Sequence, residues 1–107
     1  MTQKDRDATN EFATKVRERL ANQLVALKLF GSKARGDDTP ESDIDVLVEV
    51  ETANVATQDA VLDIAFEVNL RHEVYISPRV IERAVFADPV WKETPFIQHL
   101  GREGVPL

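Results

Sequence analysis

The segment Leu29–Val50, LFGSKARGDDTPESDIDVLVEV, decides how this chain is read. An apolar run halts at Gly31, a charged stretch follows, and a second apolar run opens with Asp43 and Asp45. The first run begins upstream as VALKLF, Val25 to Phe30, and reads as a buried strand ended by the glycine. Ile44 to Val50 is rich in β-branched residues and reads as a second strand. Between them, Ser32 to Arg35 fits one helical turn, and Gly36 to Ser42 has loop composition.

Side chains two apart on a strand share a face, so Asp43 and Asp45 project side by side, roughly 6–7 Å apart at Cα. Two carboxylates at that separation repel each other. A divalent cation relieves the repulsion, and hard oxygen ligands suit Mg²⁺ or Mn²⁺. The plain alternative is a pair of solvated residues at a strand end. The pair precedes a sheet-interior run and follows a polar loop, which predicts a place at a sheet edge, where clefts form. Gly31-Ser32 is the second element. Glycine permits a tight turn and close backbone approach, and N–H groups with a serine hydroxyl at a helical turn bind anions. Many strands end in glycine without binding anything.

Spacing rejects two familiar motifs. Gly31 and Gly36 are five apart, as in a P-loop, but Asp37 and Asp38 stand where Lys and Ser or Thr are needed. An EF-hand loop needs an oxygen ligand where Leu47 stands. The Arg-Gly-Asp at 35–37 is read as chance.

Working outward, Phe12, Val16 and Leu20 recur on one face of a helix from about Ala8 to Asn22. The first six or seven residues are polar and expected to fray. Thr57 to Leu70 fits a helix with Val61, Ile64, Ala65 and Val68 on one face. Glu73 to Ile76 reads as a short third strand. Ser77-Pro78 resembles a cap followed by proline at the first helical position, which predicts a helix near Arg79 that ends at Asp88-Pro89. Thr94-Pro95 repeats that signal for a last helix carrying Phe96, Ile97 and Leu100, stopped around Gly101 to Gly104. The expected fold class is α/β (α+β), one small mixed sheet with helices against it.

The 107 residues fit one domain. Apolar residues at 43% and charged residues at 30% are ordinary for a globular protein. There are no cysteines, which excludes disulfides and thiolate metal sites and fits a reducing compartment. The start MTQKDRDATNEF lacks the apolar core of a signal peptide, and no run is long enough to span a membrane, so a cytoplasmic protein is expected. A net charge of −6 argues against broad nucleic-acid binding. It does not oppose one metal-held nucleotide.

GSKARGDDTPESDID, Gly31 to Asp45, resembles the signature of the DNA polymerase β-like nucleotidyltransferase superfamily: Gly-Ser, a spacer, Arg-Gly, a loop, then Ser-Asp-x-Asp. Gly31, Ser32, Arg35, Gly36, Ser42, Asp43 and Asp45 match in order. The chain's size and its ending, FIQHLGREGVPL, are similar to the minimal nucleotidyltransferases, often paired with a helical HEPN protein as antitoxin and toxin. The resemblance implies that Gly31 and Ser32 cradle a triphosphate and that Asp43 and Asp45 ligate Mg²⁺. Arg35 then suits a phosphate, or else a salt bridge to Asp37 or Glu41. Ser42 is grouped by the motif with Gly31, Ser32 and Arg35 as nucleotide-binding, and reads as a turn or capping residue rather than a catalytic one. Family members usually add a third carboxylate from a later strand, for which Glu73 is the candidate, as metal ligand or base. The family more often shows an aspartate within an apolar triplet there, so Glu73 reads equally as a solvated strand-edge residue. His72 and His99 are read as surface residues, Lys33 as an exposed lysine with a phosphate contact as the alternative, and Trp91 as a cover for the core rather than a ring that stacks a base.

The implied reaction moves AMP from ATP to a hydroxyl, expected on a partner HEPN toxin. The alternative is a binding module that neutralises a partner by contact, with a weak nucleotide site. Transfer to a small molecule such as an aminoglycoside ranks third, because the residues after the motif are needed to complete the fold. Self-association is left open.

Overall fold

The structure is a computed structural model that describes residues 1–39, 41–98 and 104–107. Helix α1, Gln3–Leu20, starts earlier than the apolar stripe predicts. Thr2 and Asp5 form a capping box: Thr2 Oγ1 accepts from the Asp5 N–H at 3.1 Å, and Asp5 Oδ2 accepts from the Thr2 N–H at 3.2 Å. Two of the helix's orphan donors are thereby satisfied. The expected frayed start is corrected: residues 3–7 are helical and Asp5 is buried.

Strand β1, Leu24–Phe30, leads through the one-turn helix α2, Ser32–Arg35, and the loop to β2, Ile44–Val50. Helix α3, Val55–His72, returns the chain to β3, Ile76–Glu82. A short helix α4, Arg83–Ala87, a 3₁₀ turn at Trp91–Glu93 and a helical turn over 95–98 follow. Two residues, Val105–Pro106, form β4. The sheet order is β3-β2-β1-β4. β1 runs antiparallel to β2 and β4, and β2 parallel to β3. The expected mixed sheet is present, with a fourth strand that is too short to show a period.

β2 is interior: one face is buried along its whole length, and on the other Leu47 is buried between the half-buried Asp45 and Glu49. Ile44, Val46, Val48 and Val50 meet the buried faces of α1 (Ala8, Phe12, Val16) and α3 (Val61, Ile64, Val68) in the main core. Leu47 faces the other way, into a smaller cluster with Phe30 and Ile97.

The third strand and the helix after it are corrected. α3 continues to His72 and is capped by Glu73 in the left-handed conformation, φ 54° and ψ 48°, so Glu73 lies before the strand and not in it. Asn69 fixes the turn: its Oδ1 accepts from the Ile76 N–H at 2.7 Å and its Nδ2 donates to the Ile76 carbonyl at 3.2 Å. Ser77-Pro78, read as a helix start, lies inside β3. Ile44 N–H donates to the Tyr75 carbonyl at 2.9 Å. Alternation then turns the backbone groups of Ser77 and Arg79 toward β2, and those of Ile76, Pro78 and Val80 toward the open edge. A proline is tolerated there because no ladder bond needs its missing N–H. Thr94 does open a helical turn: its Oγ1 accepts from the Ile97 N–H at 3.4 Å, and its carbonyl from the Gln98 N–H at 3.1 Å. The expected helix end, Leu100 and Gly101 included, lies outside the described residues. Among the described residues no helix is long and apolar enough to cross a membrane.

Candidate functional site

Antiparallel pairing brings the end of β1 to the start of β2, with Phe30 opposite Asp45. Gly31 therefore lies beside the Asp45 side chain. A β-carbon at residue 31 would stand 2.6 Å from Asp45 Oδ2. The backbone there, φ 75° and ψ −157°, also belongs almost wholly to glycine. The Gly31 carbonyl accepts from the N–H groups of Ala34 and Arg35, both at 3.1 Å, which winds α2. The glycine turn and the aspartates predicted 12 and 14 residues away thus meet at one end of the sheet. The pair sits at the end of an interior strand and not at a sheet edge.

Asp43 is exposed and immediately precedes β2, and Asp45 is half-buried as its second residue. Burial, reinforced by the charge of Asp43, holds the Asp45 carboxyl above the usual carboxylate range, while Arg79 acts in the opposite sense. The part contributed by Asp43 is the mutual repulsion of two neighbouring carboxylates. The donor set is oxygen only, which suits Mg²⁺. Among the described residues no three His, Cys, Asp or Glu side chains converge to hold a metal ion. Two carboxylates suffice for a Mg²⁺ that also takes substrate phosphates and water, so the pair fits the ion.

Glu73 is not brought to the pair. It lines a small hollow with Lys4, Asp5, Glu41 and Ser42. The residue beside Asp45 on the neighbouring strand is Ser77, which offers a hydroxyl and not a carboxylate.

Ser42 closes the loop as expected. Its Oγ accepts from the Thr39 N–H at 3.0 Å, and its N–H donates to the Thr39 carbonyl at 3.0 Å. Arg35 Nε meets Asp37 Oδ2 at 3.2 Å, both side chains being exposed. That is the loop-acid pairing weighed against a phosphate contact, and exposed pairs of this kind contribute little.

Lys33 is corrected from exposed to buried. Its side chain is 0% exposed, and its Nζ donates to Asp5 Oδ2 at 2.9 Å, Asp38 Oδ2 at 3.0 Å and the Thr39 carbonyl at 3.0 Å. Burial lowers its affinity for the proton, but the two carboxylates prevail and hold the ammonium above the usual lysine range. The loop is thereby fastened to the first turn of α1.

Arg79 was missed because its segment was read as helical. On β3 it sits in register with Leu47, two residues beyond Ser77, on the face that carries Asp45. Its guanidinium lies 5.8 Å from the centre of the Phe96 ring. Trp91, expected over the core, is 55% exposed at the rim of a hollow with Val80, Val85 and Phe96. His72 is half-buried, its Nε2 3.2 Å from Glu11 Oε1, and His99 lies outside the described residues.

Residues 10–97 match the nucleotidyltransferase domain family. A Methanocaldococcus jannaschii protein described as a candidate protein adenylyltransferase is 32% identical over 98 residues, 91% of this chain and 92% of that one. A second protein of that description from the same organism is 33% identical over 79 residues, 74% of this chain and 75% of that one. Among solved structures, one described as a minimal nucleotidyltransferase superposes with a TM-score of 0.60 at 20% identity, covering 99% of this chain and 97% of that one. A toxin–antitoxin crystal structure with AMP-PNP gives 0.56 at 15%, covering 98% and 72%. The fold is that of the polymerase β-like nucleotidyltransferases, and the match over 10–97, which includes the glycine turn, both aspartates and the strands that hold them together, makes this chain a member of the nucleotidyltransferase domain family.

Proposed function

We propose that the chain transfers AMP from Mg-ATP to a hydroxyl on a partner protein. The observation that carries this reading is the convergence of Gly31-Ser32 with Asp43 and Asp45 at one end of the sheet. Gly31 and Ser32 would face the phosphate chain, and Asp43 and Asp45 would hold the magnesium ion. When bound, that ion supplies charge neutralisation at the transferring group and aligns the attacking oxygen. The acceptor oxygen bonds to the α-phosphorus, the α–β phosphoanhydride bond breaks, pyrophosphate leaves, and the hydroxyl proton passes to water. That the acceptor is a protein is supported by the names of the Methanocaldococcus jannaschii relatives. A fold shared with a toxin–antitoxin structure supports a toxin as the partner and an antitoxin role for this chain; that the toxin is of the HEPN type rests on the resemblance of the motif and the chain's ending to the minimal nucleotidyltransferases.

The test is label transfer from α-labelled ATP to the co-expressed partner. The double variant Asp43→Asn, Asp45→Asn is expected to lose transfer while keeping its circular-dichroism spectrum. Transfer that persists in it sinks the site assignment. A second reading, neutralisation by contact with only weak catalysis, is favoured by one observation: Ser77 in place of a third acid beside Asp45. A partner that stays inhibited, with an unshifted intact mass after incubation with Mg-ATP, would select that reading.

A further inference from the structure

A triphosphate seated beside two aspartates needs protein cations, and the obvious one is already engaged. The Lys33 ammonium has three protons, and Asp5, Asp38 and the Thr39 carbonyl take all three. It has none to offer a substrate. Arg35 is paired with Asp37.

On the face of the sheet that carries Asp45, the strands add two cations, Lys28 on β1 and Arg79 on β3, both in register with Leu47. Leu47 is itself covered by Phe30 and Ile97, so the open part of this face is the end where Asp45 and Ser77 stand. Arg79 is exposed and within electrostatic reach of Asp45. Its guanidinium lies over the Phe96 ring, and it has no hydrogen bond or ion pair with a described residue. Stacking on a ring restrains an arginine yet leaves its planar fork of N–H groups free to meet two oxygens at once. Phe96 is 47% exposed, more than a purely core residue at the start of that helical turn would be.

We propose that Arg79, braced on the Phe96 ring, is a nucleotide-binding residue that grips the phosphate chain at the Asp45 end of the β2–β3 face. This rests on the nucleotidyl-transfer reading. It supplies the cation that the motif itself withholds, and the fork favours phosphate oxygens over a single point contact.

The experiment measures affinity for a fluorescent, non-hydrolysable ATP analogue in the presence of Mg²⁺, with thermal melts of each variant as the fold control. Arg79→Met is expected to weaken binding roughly tenfold to a hundredfold, the effect of a lost charge-assisted hydrogen bond. Arg79→Lys is expected to recover part of that loss, and Phe96→Leu to weaken binding a few-fold. Melting temperatures should stay at the wild-type value because Arg79 is exposed. Wild-type affinity in Arg79→Met, with the wild type binding the analogue, overturns the role of Arg79 and leaves the transfer reading standing. Full recovery in Arg79→Lys overturns the fork contact. A wild type that binds no analogue at all overturns both readings together.

Discussion

Asp45 Oδ2 occupies the space that a side chain on residue 31 would need, 2.6 Å from the ideal β-carbon position at Gly31. The carboxylate and the turn are therefore one unit, and a change at either is felt by both. Gly31→Ala is expected to cost about 1–3 kcal/mol from backbone strain alone. It should also push the Asp45 carboxylate out of place. The measurements are a thermal melt and label transfer from α-labelled ATP: a lower melting temperature, with transfer reduced by far more than the folded fraction. A variant with wild-type transfer would show that the close approach is incidental.

The folded state places an electrostatic cost on Asp45. Its carboxyl is held above the ordinary range by burial and by the charge of Asp43. A carboxyl whose folded-state value is raised binds its proton more tightly when folded. Its ionisation therefore opposes folding, and that opposition grows as pH rises through the unfolded and then the folded value. Asp45→Asn is expected to raise the melting temperature at pH 7 and to abolish transfer. The gain should shrink toward pH 3, where both proteins are uncharged at this position. Melts of the two proteins across that range without added Mg²⁺ check it, and a variant less stable at pH 7 would contradict it.

The Lys33 network behaves in the opposite sense. Burial raises the Asp5 carboxyl, but the Lys33 ammonium and the Thr2 contacts prevail and leave it below its ordinary value. The Asp38 carboxyl is lowered by its hydrogen bond from Lys33. Their contribution is present above the ordinary carboxylate range and lost as pH falls through the lowered values. Lys33→Met leaves Asp5 buried without its cation and is expected to cost about 3–5 kcal/mol. A denaturant titration at pH 7 measures the loss, and a companion Asp5→Leu, Lys33→Met variant should recover part of it. A cost below about 1 kcal/mol would mean that the network is solvated in solution.

The legible parts of the sequence were those where one local rule acted alone. β2 matched its β-branched run from end to end, and the glycine turn and aspartates were brought together as their motif implied. β3 was misplaced because Ser77-Pro78 is a strong helix-start signal, and only the open edge of the sheet makes a proline acceptable there. That context is tertiary and cannot be seen from neighbours in the chain. The same error hid Arg79 and put Glu73 on a strand. The T-x-x-D capping box at Thr2 and Asp5 is a local signal that lies upstream of the apolar stripe, so the stripe alone marks the helix too short. Lys33 was hidden for another reason: its partner Asp5 is 28 positions away.

The outer margin of β3 has a consequence for the protein's behaviour at high concentration. At Ile76 the outward N–H and carbonyl are both taken by Asn69, and at Pro78 there is no N–H to offer. A foreign chain seeking to zip along that margin finds both groups of Ile76 taken and no donor at Pro78, so the same residues that shape the turn into the strand disfavour fibril-like stacking through it.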